Sequence, residues 1–327
     1  DLSQVKRRVA KRFKASLPTN ISLLKKYHES VKNKRIKGSA QLERLLRTRP
    51  VRSLSGIVNV SVLTKPFPCP GKCIYCPSQK GAPKSYLNNE PAVMRAILNK
   101  YNPYKQIKMR LRALKNTGHP TDKIDLRIIG GTWSFYPKSY QTWFIKECFR
   151  ACNGRGETSI TLDRAQKTNE KAQHRIIGLS IETRPDYINA KEIKILRELG
   201  VTRVELGIQS IYDDILKLIK RGHGRKEIIK ATKLLKDAGF KVCYQMMPNL
   251  PGSTVKKDEK MFKELFSNPD FQPDLLKIYP CALLREAPLH NWWKKCKYLS
   301  LIHISEPTRP LYISYPVFCL KKKKAVE

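Results

Sequence analysis

Three cysteines fall within eight residues, in the loop Pro68-Cys69-Pro70-Gly71-Lys72-Cys73-Ile74-Tyr75-Cys76-Pro77. Their spacing is C-x3-C-x2-C. Thiolate sulfur suits zinc or iron–sulfur centres. Structural zinc takes four ligands, usually as two separated pairs, and no fourth ligand stands nearby. Three cysteines on a four-iron cubane leave one iron open to a substrate or cofactor. Gly71 permits a tight wrap, and the flanking prolines remove competing backbone donors. The spacing therefore favours a 4Fe-4S cluster on Cys69, Cys73 and Cys76, with zinc as the alternative. The chain holds nine cysteines, an odd number, and clustering of this kind points to ligation rather than disulfides.

Such a loop needs a frame. Six apolar runs read as strands, at 56–63, 124–130, 176–182, 203–209, 241–247 and 275–279. They are nearly continuous in apolar character, as parallel strands covered on both faces are. Between them lie amphipathic helices. The stretch 190–199 puts Ile193, Leu196 and Leu199 on one face and stops at Gly200. The stretch 225–238 puts Ile228, Ala231, Leu235 and Ala238 on one face and stops at Gly239. Six βα units with right-handed crossovers predict an α/β fold, a partial (β/α)6 barrel.

The chemistry of such a fold sits at the C-terminal ends of its strands. Strand one runs into the cysteine loop, and strand two into Gly130-Gly131-Thr132. Strand three leads to Glu182-Thr183-Arg184-Pro185-Asp186, and strand four to Gln209-Ser210. Strand five ends in Met247-Pro248-Asn249-Leu250-Pro251-Gly252 and strand six in Tyr279-Pro280. Cys148, Cys152, Cys243 and Cys281 read as core packing. His119 and His223 each follow a glycine and read as structural hydrogen bonders. No nucleophilic triad and no P-loop pattern is apparent.

The 327 residues carry a net charge of +38, and 41% are hydrophobic. That is enough apolar residue for a core, and a surplus of positive charge that a polyanion, usually nucleic acid, would neutralise. Residues 1–50 hold 15 Lys or Arg against 3 acids and read as a small basic helical region that grips phosphates. A helix start is predicted at Thr19 or Asn20. No apolar run of membrane-spanning length occurs, and the first residues lack a signal-like apolar core, so no membrane is expected and a cytoplasmic location is. Residues 299–327, with prolines at 307, 310 and 316 and lysines at 321–324, break this texture. They read as a translated sequencing adapter followed by a poly-A tract, and are expected not to be native sequence.

From about residue 50 to 297 the chain resembles the catalytic subunit of Elongator in its archaeal and bacterial single-chain form, a radical S-adenosylmethionine (SAM) family. The matching blocks include Arg52-Ser53-Leu54-Ser55-Gly56, the cysteine loop with Tyr75 before its last cysteine, and Ser85-Tyr86-Leu87-Asn88-Asn89-Glu90-Pro91. Further on come Gly118-His119-Pro120-Thr121-Asp122-Lys123, Gly130-Gly131-Thr132 and Ile181-Glu182-Thr183-Arg184-Pro185-Asp186. The last blocks are Glu205-Leu206-Gly207-Ile208-Gln209-Ser210, Arg221-Gly222-His223, Met246–Gly252 and Leu276-Lys277-Ile278-Tyr279-Pro280.

The resemblance implies an acetyl-CoA-dependent, radical SAM modification of the tRNA wobble uridine at carbon 5, towards a carboxymethyl group. It implies a cluster on Cys69, Cys73 and Cys76, with SAM at Gly130, Gly131, Thr132, Glu182, Arg184, Gln209 and Ser210. It places Lys123 near acetyl-CoA as the catalytic residue, with Lys277 and Tyr279 as weaker rim candidates. It implies tRNA and an electron donor as partners, and it admits a homodimer. Three regions are expected: a basic helical tRNA-binding region at 1–50, a radical SAM domain at 51–298, and the irregular tail at 299–327. The full-length family adds a C-terminal acetyltransferase domain that is not found here, so this chain is expected to bind cluster and tRNA but to be impaired in turnover. A non-catalytic tRNA-binding protein with a structural iron–sulfur cluster is the second reading.

Overall fold

A computed structural model describes residues 1–154, 159–295 and 297–298. The expectation for 299–327 falls outside the described residues. Three helices open the chain: α1 (Leu2–Arg12), α2 (Asn20–Lys32) and α3 (Ala40–Leu46). Thr19 caps α2 as the sequence predicts, its Oγ1 accepting from the Ser22 backbone N–H at 3.1 Å. Helix α1 buries no residue, and Arg7, Arg8, Lys11 and Arg12 stand exposed.

Strand β1 (Val58–Leu63) leads through α4 (Pro91–Leu98) and α5 (Pro103–Asn116) to β2 (Lys123–Ile129). Next come α6 (Lys138–Asn153), α7 (Leu162–Asn169) and β3 (Arg175–Thr183), then α8 (Ala190–Glu198) and β4 (Arg203–Gln209). Helices α9 (Asp213–Leu218) and α10 (Arg225–Asp237) precede β5 (Lys241–Met246), and α11 (Val255–Ser267) precedes β6 (Leu275–Ile278). Helix α12 (Leu289–Lys294) follows.

The strands lie close to the predicted runs and form one sheet in the order β1-β2-β3-β4-β5-β6. Every crossover therefore steps to the adjacent position in the same direction, which makes the fold a partial (β/α)6 barrel. Strands β3 to β6 are parallel, with Glu182 beside Glu205, Gly207 beside Gln245, and Gln245 beside Lys277.

The predicted glycine stops behave as their chemistry requires. Gly200 and Gly239 take φ of +78° and +75° just past α8 and α10, where a side chain would be strained. Asn189 starts α8 by accepting from the Glu192 N–H at 3.0 Å, and Glu227 folds back onto the Gly224 N–H at 2.7 Å to start α10.

Two compact units can be told apart. One comprises residues 1–62, 102–127 and 142–179. In it α2 packs on α3 and α5 around the fully buried Leu24. Its buried histidines serve the backbone and neighbouring loops: His119 Nδ1 meets Ser53 Oγ at 2.7 Å, and His174 Nδ1 donates to the Thr121 carbonyl at 2.7 Å. The other unit comprises residues 63–101, 128–141 and 180 onward. Val204, Leu206, Ile208, Val242 and Met246 of its strands are fully buried with Ile228, Leu235 and Leu265 of its helices. Burying each such side chain contributes about 1.5–3 kcal/mol. Cys148, Cys152, Cys243 and Cys281 are buried. Among the described residues no helix is long and apolar enough to cross a membrane.

Candidate functional site

The cysteine loop leaves the end of β1 and is tied down at several points. Thr64 donates its N–H to the Ile129 carbonyl at 3.0 Å and its hydroxyl to the Gly130 carbonyl at 3.2 Å. The Tyr136 hydroxyl donates to the Lys65 carbonyl at 2.8 Å. Farther along, Ile74 donates its N–H to the Ile219 carbonyl at 3.1 Å and accepts from the Leu289 N–H at 2.7 Å.

Cys73 and Cys76 are buried and Cys69 is half-buried. Each sulfur has a polar partner of its own. Cys69 Sγ accepts from the Gly71 N–H at 3.4 Å and lies 4.0 Å from Thr132 Oγ1. Cys73 Sγ accepts from Arg221 Nη1 at 3.4 Å. Cys76 Sγ meets Ser85 Oγ at 2.8 Å. Burial pushes the Cys76 thiol up to about 11 against the pull of Ser85, so a bound cationic centre is what would deprotonate it near neutrality.

Among the described residues no three His, Cys, Asp or Glu side chains converge on a position for a single metal ion. Three thiols in one loop, each with a hydrogen-bonding neighbour, form a donor set that fits a polynuclear cluster, where hydrogen bonds to sulfur stabilise the thiolates.

The glycines separate packing from space. A Cβ on Gly130 (φ +129°) would collide with Thr64 Oγ1, so this glycine is required by the close approach of two loops. Gly131 (φ +106°) is different: a Cβ there would meet only the Lys84 carbonyl, at 3.9 Å. Open space therefore stands beside Gly131. Thr132 follows, buried, with its hydroxyl turned to Cys69.

Arg184 and Asp186 form a bidentate pair, Nε to Oδ1 at 2.9 Å and Nη2 to Oδ2 at 2.8 Å. His223 Nδ1 lies 3.6 Å from Asp186 Oδ1. Burial would raise the Asp186 carboxyl, but His223 and Arg184 outweigh it and hold the group well below the usual carboxylate range. Arg184 is 4% exposed, and its Nη1 has no hydrogen-bond partner. That nitrogen lies 2.5 Å from where a Cβ on Gly71 would stand, so Gly71 is what lets the guanidinium approach the cysteine loop. An orphaned charged donor beside the thiols suits an anionic ligand group.

Glu182 accepts from the Tyr86 hydroxyl at 3.0 Å and from Gln245 Nε2 at 3.2 Å. Burial and the Glu182 charge push the Tyr86 phenol well above its ordinary value, which keeps it a donor. Gln245 also reaches Glu205 Oε2 at 3.4 Å, and Lys277 pairs with Glu205. Gln209 stands at a register shift in β4 with φ +74°, a conformation that costs a non-glycine residue about 1–3 kcal/mol. Ser210 is buried and its hydroxyl accepts from the Tyr212 N–H at 3.3 Å, a local turn. Tyr279 donates its N–H to the Met246 carbonyl at 2.8 Å.

Lys123 is exposed at the first residue of β2. The structure gathers the cysteines, Thr132 and Arg184. Sequence reasoning gave no site role to Arg221, Ser85, Tyr86 or Gln245, saw Gly71 only as permitting the wrap of the loop, and read Lys277 as a rim candidate rather than as a partner of Glu205. All but Gln245 lie in the cysteine loop or in a block already singled out.

Residues 68–265 match the family model described as the Radical SAM superfamily. The chain belongs to the radical SAM superfamily. Membership implies a 4Fe-4S cluster and SAM, and the donors described above fit both. Within the superfamily, the chain is 52% identical over 257 residues to a protein of Methanocaldococcus infernus named tRNA uridine(34) acetyltransferase, covering 77% of this chain and 48% of that protein. It is 38% identical over 266 residues to human Elongator complex protein 3, covering 78% of this chain and 48% of that one. Among solved structures it is similar to the archaeal Methanocaldococcus infernus Elp3 with an N-terminal deletion, at a TM-score of 0.64 and 45% identity, covering 75% of this chain and 50% of that chain. The Elongator resemblance drawn from the radical SAM motifs is borne out by these relatives. The chain spans about half the length of the curated relatives it matches.

Proposed function

We propose that this chain is the radical-generating part of an enzyme that modifies the tRNA wobble uridine at carbon 5, with SAM as radical source, acetyl-CoA as carbon donor and an external one-electron donor. The observation that carries the reading is the C-x3-C-x2-C loop at the end of β1, with a polar partner on every sulfur, in a chain whose relatives are named for tRNA uridine(34). Cys69, Cys73 and Cys76 hold the cluster. A cluster bound there would supply the electron for reductive cleavage of SAM.

The residues of this chain bind and orient. The space beside Gly131, with Gly130 and Thr132, receives the SAM amino group. Arg184 turns its unpartnered Nη1 to the carboxylate, and Glu182, already oriented by Tyr86 and Gln245, accepts from the ribose hydroxyls. Gln209 and Ser210 line the next strand end. Lys123 is the acetyl-CoA contact by resemblance, supported by an exposed ammonium that could meet a phosphate. Residues 1–50 grip tRNA phosphates. Phe135, exposed, contacts Phe67, two residues before Cys69, and Tyr187, and gives an unstacked base a ring to lie on. The clustered cysteines suit the reducing cytoplasm.

The test is anaerobic reconstitution followed by reductant and SAM, with 5′-deoxyadenosine measured by chromatography, and nucleoside analysis after adding tRNA and acetyl-CoA. Deoxyadenosine well above a Cys73→Ala blank is the expected result, with little modified uridine from this chain. A fully loaded cluster that yields no deoxyadenosine would refute the catalytic reading and leave a tRNA binder with a structural cluster.

A further inference from the structure

Arg221 sits behind the cysteine loop, only 8% exposed. Its position is set locally. The Arg221 N–H donates to the Leu216 carbonyl at 2.9 Å as the chain leaves α9, and Gly222 (φ +82°) turns the chain away. Its guanidinium is fixed at both ends. Nε and Nη2 donate to the Gly207 carbonyl at 3.2 Å and 2.5 Å, and Nη1 donates to Cys73 Sγ at 3.4 Å. A Cβ on Gly207 would stand 2.6 Å from Nη2, so a glycine in β4 is the condition for this arrangement.

Among the described residues no carboxylate is hydrogen-bonded to Arg221. Asp186, the nearby acid, is held in the bidentate fork of Arg184. A buried cation is costly unless a negative group faces it. Here the facing group is the sulfur of a proposed cluster ligand. A carbonyl alone would satisfy the two nitrogens at Gly207; the third points at sulfur, and that contact has no packing purpose.

We infer that Arg221 is a positioning residue that raises the reduction potential of the cluster held by Cys69, Cys73 and Cys76. The inference rests on the reading of those cysteines as cluster ligands. On reduction the cluster gains one electron from an external low-potential one-electron donor, no bond forms or breaks, and the site becomes more negative by one charge. A guanidinium bonded to a ligand sulfur stabilises the more negative state, the more so in a buried, low-dielectric position. The second guanidinium, Arg184, is bonded by two of its nitrogens to Asp186, whereas Arg221 donates directly to a ligand sulfur.

The experiment is a redox titration, followed by EPR, of the anaerobically reconstituted chain and its Arg221→Gln and Arg221→Lys variants, with iron and sulfide measured on each. With Arg221→Gln the reduced-to-oxidised ratio at a fixed poise is expected to fall about tenfold, a midpoint about 59 mV lower. Arg221→Lys, which keeps the charge but lacks the fork, is expected to fall between. A loop-packing role alone would lower iron loading and leave the midpoint of the loaded fraction unmoved. A fully loaded Arg221→Gln chain with the wild-type midpoint overturns the inference. Should that variant take up no iron, the lysine variant decides: a lowered midpoint supports the inference, and a wild-type midpoint overturns it. Failure of the wild-type chain to form a cluster would overturn the ligand reading itself, a result distinct from an unmoved midpoint.

Discussion

One compact unit buries two histidines and an asparagine, and the other buries two arginines and two glutamates among its hydroxyl and amide groups. In residues 1–62, 102–127 and 142–179, His119 meets Ser53, His174 holds the Thr121 carbonyl, and Asn169 bonds Asn153. Glu147 with Arg150 is a charged pair there. In residues 63–101, 128–141 and onward from 180, the buried groups include Arg184, Arg221 and Glu205, with Lys277 largely covered. Neutral hydrogen bonds specify a fold cheaply. Buried ions are a poor route to stability and are tolerated where their charge has a use. The contrast locates the chemistry around the cysteine loop before any family is considered.

Four substitutions test the contrast. The largest effect is expected from Cys73→Ala, which removes a ligand and the acceptor of Arg221 together. Iron content after reconstitution should fall to the level of a blank, whereas Cys148→Ala should load normally. Next is Lys277→Met, which removes one cationic partner of the buried Glu205 inside the sheet. Denaturant unfolding should show a loss of about 3 kcal/mol. Adding Glu205→Leu should recover most of it, and a Lys277→Met chain of unchanged stability would mean that the pair is not what the geometry indicates.

Arg184→Gln removes the orphaned donor and one partner of Asp186. SAM affinity, read by calorimetry on the loaded chain, should fall at least tenfold, about 1.4 kcal/mol. Equal affinity would remove Arg184 from the site. The smallest effect lies in the other unit. His119→Ala should cost about 1–2 kcal/mol of stability and leave the EPR spectrum unchanged. The pH dependence has a definite sign. Burial holds the His119 and His174 imidazoles below their ordinary value in the fold. The unfolded chain therefore takes up the proton first, and stability falls as pH drops below about 6.5 towards the folded values. Rising stability over that range would contradict the neutral assignment.

How much of this was legible in the sequence follows from the range of each interaction. The strands and their glycine stops follow local periodicity and backbone freedom, and both are written within a few residues. The cysteine loop announces its chemistry by spacing alone. Arg221 does not, because its partner Cys73 is 148 residues away and nothing near either residue indicates the other. Lys277 looked like a rim lysine because a strand position says nothing about which neighbour it meets across β5. Gly71 and Gly207 read as turn or strand glycines, while their need comes from guanidinium groups delivered by other segments.

The most direct test of the central claim is EPR of the anaerobically reconstituted, reduced chain with and without SAM. A four-iron signal that shifts when SAM is added is the predicted result, because three cysteine ligands would leave one of four irons open to a cofactor. A four-iron signal that SAM leaves unchanged, or zinc bound in place of iron, would contradict the account.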